Sequence, residues 1–271
     1  MSFQNILLIG CGNMAGAMLE GWLAGGFDPS RFAVVEPSEK QLPRGISRHR
    51  SIPDSGRFDA ILLGVKPQML GAIAKDVANL AEGDTTVLSL LAGVELDTLA
   101  ARFPVAAAHV RVMPNLAVAL GKAPIALAER GLGEPGRAAV ITLMKPLGTP
   151  EWVDESEFDL VTALTGSGPA FVYRFIDALA AAAADLGLSR EQAERMALAM
   201  VEGAAALAVA SPDTPGKLAD RVASPGGMTR EGLNVLDRDH ALVGLLTETL
   251  RAARDRGAEL AAEARKSGDE G

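Results

Sequence analysis

The chain opens on an apolar run with no polar alternation, Ile6-Leu7-Leu8-Ile9. A strand of that kind is buried on both faces, as in a parallel sheet covered by helices. Phe32-Ala33-Val34-Val35, Ala60 to Val65, Thr86 to Leu91 and His109 to Met113 repeat the pattern. Helical periodicity separates them, over about 13–24 after the first strand and about 68–80 after Val65. Strands alternating with helical stretches predict a parallel, doubly wound sheet. The segment 38–55 shows neither period and leaves room for one short strand near Ile46. Pro124 to Ala128 and Glu151 to Val153 read as late strands around a helix at Pro135 to Met144.

After about Asp154 the strand signals stop. Pro169 opens a long apolar helix that Gly187 ends, and Ser189 with Gln192 three residues on forms a capping box for the next, to about Ala210. Pro215 starts a short helix that ends before Pro225. Thr229 begins another, and Leu242 to Lys266 is the last, leaving Ser267 to Gly271 as a frayed tail. The fold class is therefore α/β, an N-terminal Rossmann-like doubly wound parallel sheet (1–155) followed by an all-α domain (156–271). Asp154, Glu155, Glu157 and Asp159 at the boundary read as a solvated junction.

Composition removes several function classes. Lys plus Arg number 26 against 34 Asp plus Glu, a net charge of −8. The deficit is confined to 154–271, where 12 basic residues meet 20 acidic ones. An acidic chain without a basic cluster predicts no nucleic-acid partner and no anionic membrane surface. No stretch reaches 18 uninterrupted apolar residues, so no spanning helix is expected. Neither is a signal peptide, because the N-terminus lacks a basic region. The single cysteine, Cys11, cannot form an intrachain disulfide or a cysteine-based zinc site, and it suits the reducing cytoplasm.

Gly10-Cys11-Gly12-Asn13-Met14-Ala15 follows the first strand and opens the first helix. In this G-x-G-x-x-A pattern Gly10 permits a tight turn and Gly12 lets a pyrophosphate approach the backbone. Ala15 lets the helix pack closely on the strand, and the helix N-terminus faces the phosphates. Glu36 ends the second strand 20 residues after Gly16, at the spacing where an acidic residue takes the adenosine ribose 2′-hydroxyl. Such a carboxylate repels a 2′-phosphate, which favours NADH, although Ser38 and Lys40 stand close enough to hold a phosphate. Lys66 in Gly64-Val65-Lys66-Pro67 sits at a strand's carboxyl end, where ligands of doubly wound sheets bind. Ser89 to Gly93 and Met113-Pro114-Asn115 end the next two strands in the same layer.

The second half contains Ser224-Pro225-Gly226-Gly227-Met228-Thr229, two glycines and a threonine before a helix. That arrangement offers backbone N–H groups and a hydroxyl to an anion. On composition alone an ordinary helix-to-helix turn competes with this reading.

With these motifs the chain resembles the pyrroline-5-carboxylate reductase family over nearly its whole length. The resemblance lies in IGCGNM, GVKPQ, LAGV, RVMPN, LTGSGPAF and TPGKL, and most specifically in ASPGGMTREGLNVLD from Ala223 to Asp237. It implies hydride transfer from NAD(P)H to the imine carbon of Δ1-pyrroline-5-carboxylate, giving L-proline. The helical half becomes a dimerisation and substrate domain that interlocks with its twin. The chain is then a homodimer, and in several members five dimers form a decamer, with the active site at the dimer interface. Cofactor contacts carry over to Ile9, Gly10, Cys11, Gly12, Asn13 and Met14, to the Glu36 position, to Val65, Lys66 and Pro67, and to Leu90, Leu91 and Ala92. Ser51 carries over from a region that aligns poorly. The substrate carboxylate falls to Gly226, Gly227, Met228 and Thr229, with Ser224 nearby.

The chain departs from the family twice. Relatives usually carry a neutral polar residue where Glu36 stands, which puts their usual NADPH preference in question and leaves NADH expected to serve at least as well. Arg174 replaces a hydroxyl residue of some relatives, so no catalytic residue carries over. His49, His109 and His240 fall in no motif and read as structural. Two rivals stand beside this reading. β-Hydroxyacid dehydrogenases need a lysine a turn after a glycine pair and an asparagine four residues on, where this chain has Val172 and Ile176. A dinucleotide-sensing regulatory protein without turnover is the other.

Overall fold

The computed structural model describes residues 3–269, with side chains described to 262. The first half runs β1 (Ile6–Ile9), α1 (Asn13–Ala24), β2 (Phe32–Val35), β3 (Ser47–His49), β4 (Ala60–Leu63), α2 (Leu70–Ala78), β5 (Thr86–Ser89), α3 (Leu96–Arg102) and β6 (Ala108–Met113). It continues with β7 (Ala123–Arg130), α4 (Glu134–Met144), β8 (Gly148–Trp152) and α5 (Phe158–Val161), which passes into a π-turn at Thr162–Gly166. The helices that follow are α6 (Gly168–Asp185), α7 (Arg190–Ala210), α8 (Pro215–Arg221), α9 (Met228–Asp237) and α10 (Ala241–Asp269). The chain divides into two compact units, Met1–Ser167 with Ala252–Gly271, and Gly168–Arg251.

In the first unit eight strands form one sheet in the order β3-β2-β1-β4-β5-β6-β7-β8. β1 lies between β2 and β4, with Ile6 opposite both Phe32 and Ala60. Successive side chains of a strand point to opposite faces. Ile6 and Leu8 accordingly join Val34 and Leu62 in one core, closed by Met18 and Trp22 of α1 and Val140 and Leu143 of α4. Leu7 and Ile9 join Val35, Ile61 and Leu63 in the other, closed by Leu70 and Val77 of α2 and Leu99 of α3. Burial on both faces is the reason these strands carry unbroken apolar runs. Trp22 stacks on Phe32 with ring centroids 5.3 Å apart, and its indole N–H donates to Leu143 O at 2.7 Å.

Three sequence expectations about the sheet and its surroundings change. The sheet is parallel from β3 to β6, but β7 runs antiparallel to β6 and parallel to β8. The β6–β7 connection holds only a short 3-10 turn at Leu116–Leu120, too little chain for the crossover that a parallel partner needs. The helix α3 was not expected; its seven residues bury Leu96 and Leu99 only. The acidic junction is also not uniformly solvated. Glu155 and Asp159 reach the buried Arg111, whose guanidinium lies 4.0 Å over the Phe158 ring. The room left near Ile46 is filled by β3, paired to β2.

In the second unit α6 and α7 meet through alanines. Ala180, Ala193 and Ala197 are buried, with Ile176, Ala183 and Ala184 packed beside them. Ser189 caps α7 as its capping box predicts, its Oγ accepting the Gln192 amide at 3.3 Å. Many large apolar side chains remain exposed, among them Phe175, Met196, Leu207 and Val209. Between α9 and α10, Asp239 and His240 take positive φ, 52° and 56°. The last helix continues past Ser267 to Asp269, so the frayed tail expected from Ser267 does not begin there; Glu270 and Gly271 lie outside the described residues. Among the described residues no single helix is long and apolar enough to cross a membrane.

Candidate active site

The glycine loop is built by close packing of β1, α1 and β4. Gly10 has φ +87°, and a Cβ there would stand 3.0 Å from Val65 Cγ1 and 3.2 Å from Gly64 O. A Cβ on Gly64 would stand 2.8 Å from both Ala15 Cβ and Gly10 O. These contacts leave no room for side chains between the two strand ends. Above Gly12 the space is open, its nearest neighbour being Gly64 O at 4.0 Å. Gly12 caps α1 without any side chain to satisfy the first-turn amides. A bare helix N-terminus with free approach fits a pyrophosphate.

The parallel strands bring the expected cofactor residues to one edge of the sheet. Ile9 ends β1, Gly10, Cys11 and Gly12 follow it, and Asn13 and Met14 form the first turn of α1. Glu36 follows β2 directly, and Ser51 lies two residues past β3. Val65, Lys66 and Pro67 follow β4, while Leu90, Leu91 and Ala92 follow β5. All are therefore at carboxyl ends, the ligand-binding edge of such sheets. Gly93 beside Ala92 has φ +74°, and a Cβ there would come within 3.0 Å of Ala261 N, so α10 closes on this loop.

Glu36 and its neighbours form a charged cluster at the end of β2. The Ser38 amide donates to Glu36 Oε1 at 3.0 Å, and the Ser38 side chain and amide hold the Glu36 carboxyl below its usual range. Lys40 Nζ donates to Cys11 O at 2.7 Å. Burial raises the Cys11 thiol, which keeps it protonated and inert. Arg48 on β3, which sequence reasoning missed, donates to the carbonyls of both Ser38 (2.9 Å) and Lys40.

Asn115, which the sequence placed at a strand end in this layer, lies two residues past β6. Its Oδ1 accepts the Ala117 amide at 2.9 Å and its Nδ2 donates to Thr165 O at 2.9 Å. It thereby ties the π-turn of the LTGSG run to the strand end. π-Turns of this kind recur at functional sites.

The expected substrate residues stand on the second unit, at the start of α9. The cap is Gly227, with Met228 and Thr229 inside the first turn, so Thr229 is not itself the cap. The Gly227 amide donates to Ser224 O at 3.0 Å, and the Glu231 amide to Gly227 O at 3.2 Å. A Cβ on Gly227 would meet Ser224 Oγ at 2.6 Å, whereas Gly226, at φ +70°, has open space around it. The first amides of α9 thus head the helix with no preceding turn to accept them. Arg230 Nη2 pairs with Asp220 Oδ1 at 2.9 Å and fastens α9 to α8.

Known proteins of one family resemble this chain over most of its length. Residues 155–260 match the family model for pyrroline-5-carboxylate reductase dimerisation. A pyrroline-5-carboxylate reductase of Methanosarcina acetivorans is 32% identical over 93% of this chain and 97% of its own length. The structure of a pyrroline-5-carboxylate reductase from Coxiella burnetii superposes with a TM-score of 0.86 at 30% identity, covering 95% of this chain and 98% of that one. The Plasmodium falciparum pyrroline carboxylate reductase with NADP bound has the same fold, with a TM-score of 0.81 at 24% identity over 95% and 98% of the two chains. Identity of 30–32% sustained over 93–95% of the chain makes it a member of the pyrroline-5-carboxylate reductase family.

Proposed function

We propose that this chain reduces Δ1-pyrroline-5-carboxylate to L-proline, the last step of proline synthesis, with a reduced nicotinamide dinucleotide. The observation that carries this is the pair of glycine-headed helices, α1 and α9, each presenting unfilled amides to an anion. When bound, the dinucleotide supplies the hydride from its nicotinamide C4. The α1 amides from Gly12 to Met14 hold its pyrophosphate, Glu36 accepts its ribose hydroxyl, and Val65 to Pro67 with Leu90 to Ala92 form the shelf beneath it. Ser51 closes the adenosine end. The amides of Met228 and Thr229, with the Thr229 hydroxyl and Ser224 beside them, hold the substrate carboxylate, and Gly226 and Gly227 let it approach the backbone. A protonated imine is already electrophilic, so the chain contributes position and exclusion of water rather than a general acid.

The same reading takes 1–155 as the dinucleotide domain and 156–271 as the dimerisation and substrate domain, a boundary supported by the family model that begins at 155. It takes the chain as a homodimer, with a decamer of five dimers as the larger assembly. The exposed Phe175, Met196, Leu207 and Val209 support burial against a twin. A reducing cytoplasm suits the single cysteine. Incubation of the protein with pyrroline carboxylate and NADH, followed by chiral chromatography, should give L-proline. Turnover of a β-hydroxyacid in its place, or dinucleotide binding with no turnover, would refute the assignment.

A further inference from the structure

The cations around the end of β2 have different commitments. Arg50 is paired with Glu39 at 2.8 Å. Arg48 spends its guanidinium on two backbone carbonyls. Lys40 alone of these three reaches the glycine loop, where its ammonium rests on the neutral carbonyl of Cys11. It lies over the first turn of α1, 3.1 Å from the position a Cβ on Gly16 would take. Glu36 faces the same loop, its carboxylate held by the Ser38 amide and near enough to feel the Lys40 charge.

We propose that Lys40 is the specificity-determining cation that admits a 2′-phosphorylated dinucleotide against the opposition of Glu36, and that Arg48 is the residue that positions it. The proposal rests on the dinucleotide reading of the site and deepens it. The β2–β3 register sets Arg48 opposite Val34, so its guanidinium reaches the 38–40 backbone from a fixed strand. The Lys40 amide also donates to Ser38 Oγ at 3.3 Å. The backbone of Lys40 is therefore fastened, and only its side chain has to turn. A 2′-phosphate offers that ammonium a charged acceptor in place of a neutral one, which makes a stronger hydrogen bond. A ribose with a free 2′-hydroxyl leaves Lys40 on Cys11 O and uses Glu36 instead. The chain thus has one acceptor for NADH and one cation for NADPH within the same loop.

The test is equilibrium binding of NADPH and of NADH by calorimetry, without substrate, to the full-length wild type, Lys40→Met, Lys40→Arg and Arg48→Ala. Lys40→Met should weaken NADPH about tenfold or more, the loss expected for a hydrogen bond to a charged group, and should leave NADH within about threefold. Lys40→Arg should keep NADPH binding, and Arg48→Ala should weaken NADPH more than NADH. Equal weakening of both dinucleotides by Lys40→Met would assign the ammonium to the shared pyrophosphate and overturn the proposal, as would no change in either. A wild type that binds neither dinucleotide would overturn the reading of the site itself, and the proposal with it.

Discussion

Arg111 donates to Glu155 Oε1 at 3.2 Å, and the same carboxylate oxygen accepts the Leu96 amide at 2.7 Å. One carboxylate thus neutralises a guanidinium that is 5% exposed and supplies the acceptor at the head of α3. Removing one partner of a buried pair leaves the other charge uncompensated. Glu155 is itself one-third exposed, which lowers the cost. Glu155→Ala should destabilise the protein by about 2–3 kcal/mol in chemical denaturation. A loss under about 0.5 kcal/mol, the level of an ordinary surface substitution, would mean that Asp159 suffices alone.

The turn between α9 and α10 carries strain that glycine relieves. Asp239 and His240 both hold left-handed backbone angles, where a Cβ crowds the following carbonyl. Glycine has no such cost but loses more freedom on folding. His240→Gly should therefore raise stability by about 0.5–1 kcal/mol, and Asp239→Gly by less, because Asp tolerates this region better. Lower thermal midpoints for both variants would contradict the strain.

His109 is buried, its Nε2 3.0 Å from Phe103 O, and burial holds its pKa below the usual value near 6.5. Below that pH the unfolded chain takes up a proton that the folded chain refuses. Stability should then fall as pH drops through 6.5, with a slope of up to about 1.4 kcal/mol per unit, and should level off above it. His109→Gln should remove that component of the slope in denaturation curves at pH 5 to 7. An unchanged slope would place the titration on another group.

Thr229 stands in the first turn of α9 rather than at its cap, so its hydroxyl is not consumed in capping the helix. Thr229→Ala should raise the KM for pyrroline carboxylate by about tenfold or more, the value of a hydrogen bond to a charged group. An unchanged KM would remove the residue from the carboxylate site.

The parts of this molecule that were legible in the sequence are those where one physical demand acts on neighbouring residues. β1 and β4 show as apolar runs because both their faces are buried, and the glycine loop shows because Gly10 and Gly64 leave no space for side chains. The direction of β7 was not legible, since an apolar run has no polarity; only the short link after β6 decides it. The helix α3 is less than two turns of α-helix long, too short to show a period. Arg48 escaped notice and Glu155 was read as solvated because their partners are 8 to 59 residues away, and residue type alone does not announce such bonds. At the candidate site, the backbone could be read and the side chains that fasten it could not.

Hydride transfer from a nicotinamide to an imine carbon leaves its mark in the isotope content of the product. The protein is given pyrroline carboxylate and NADH carrying deuterium at the transferable C4 position, and the product is examined by mass spectrometry and NMR. The expected product is L-proline with one deuterium on the δ carbon. Proline without label, or oxidation of the cofactor with no proline formed, would contradict it.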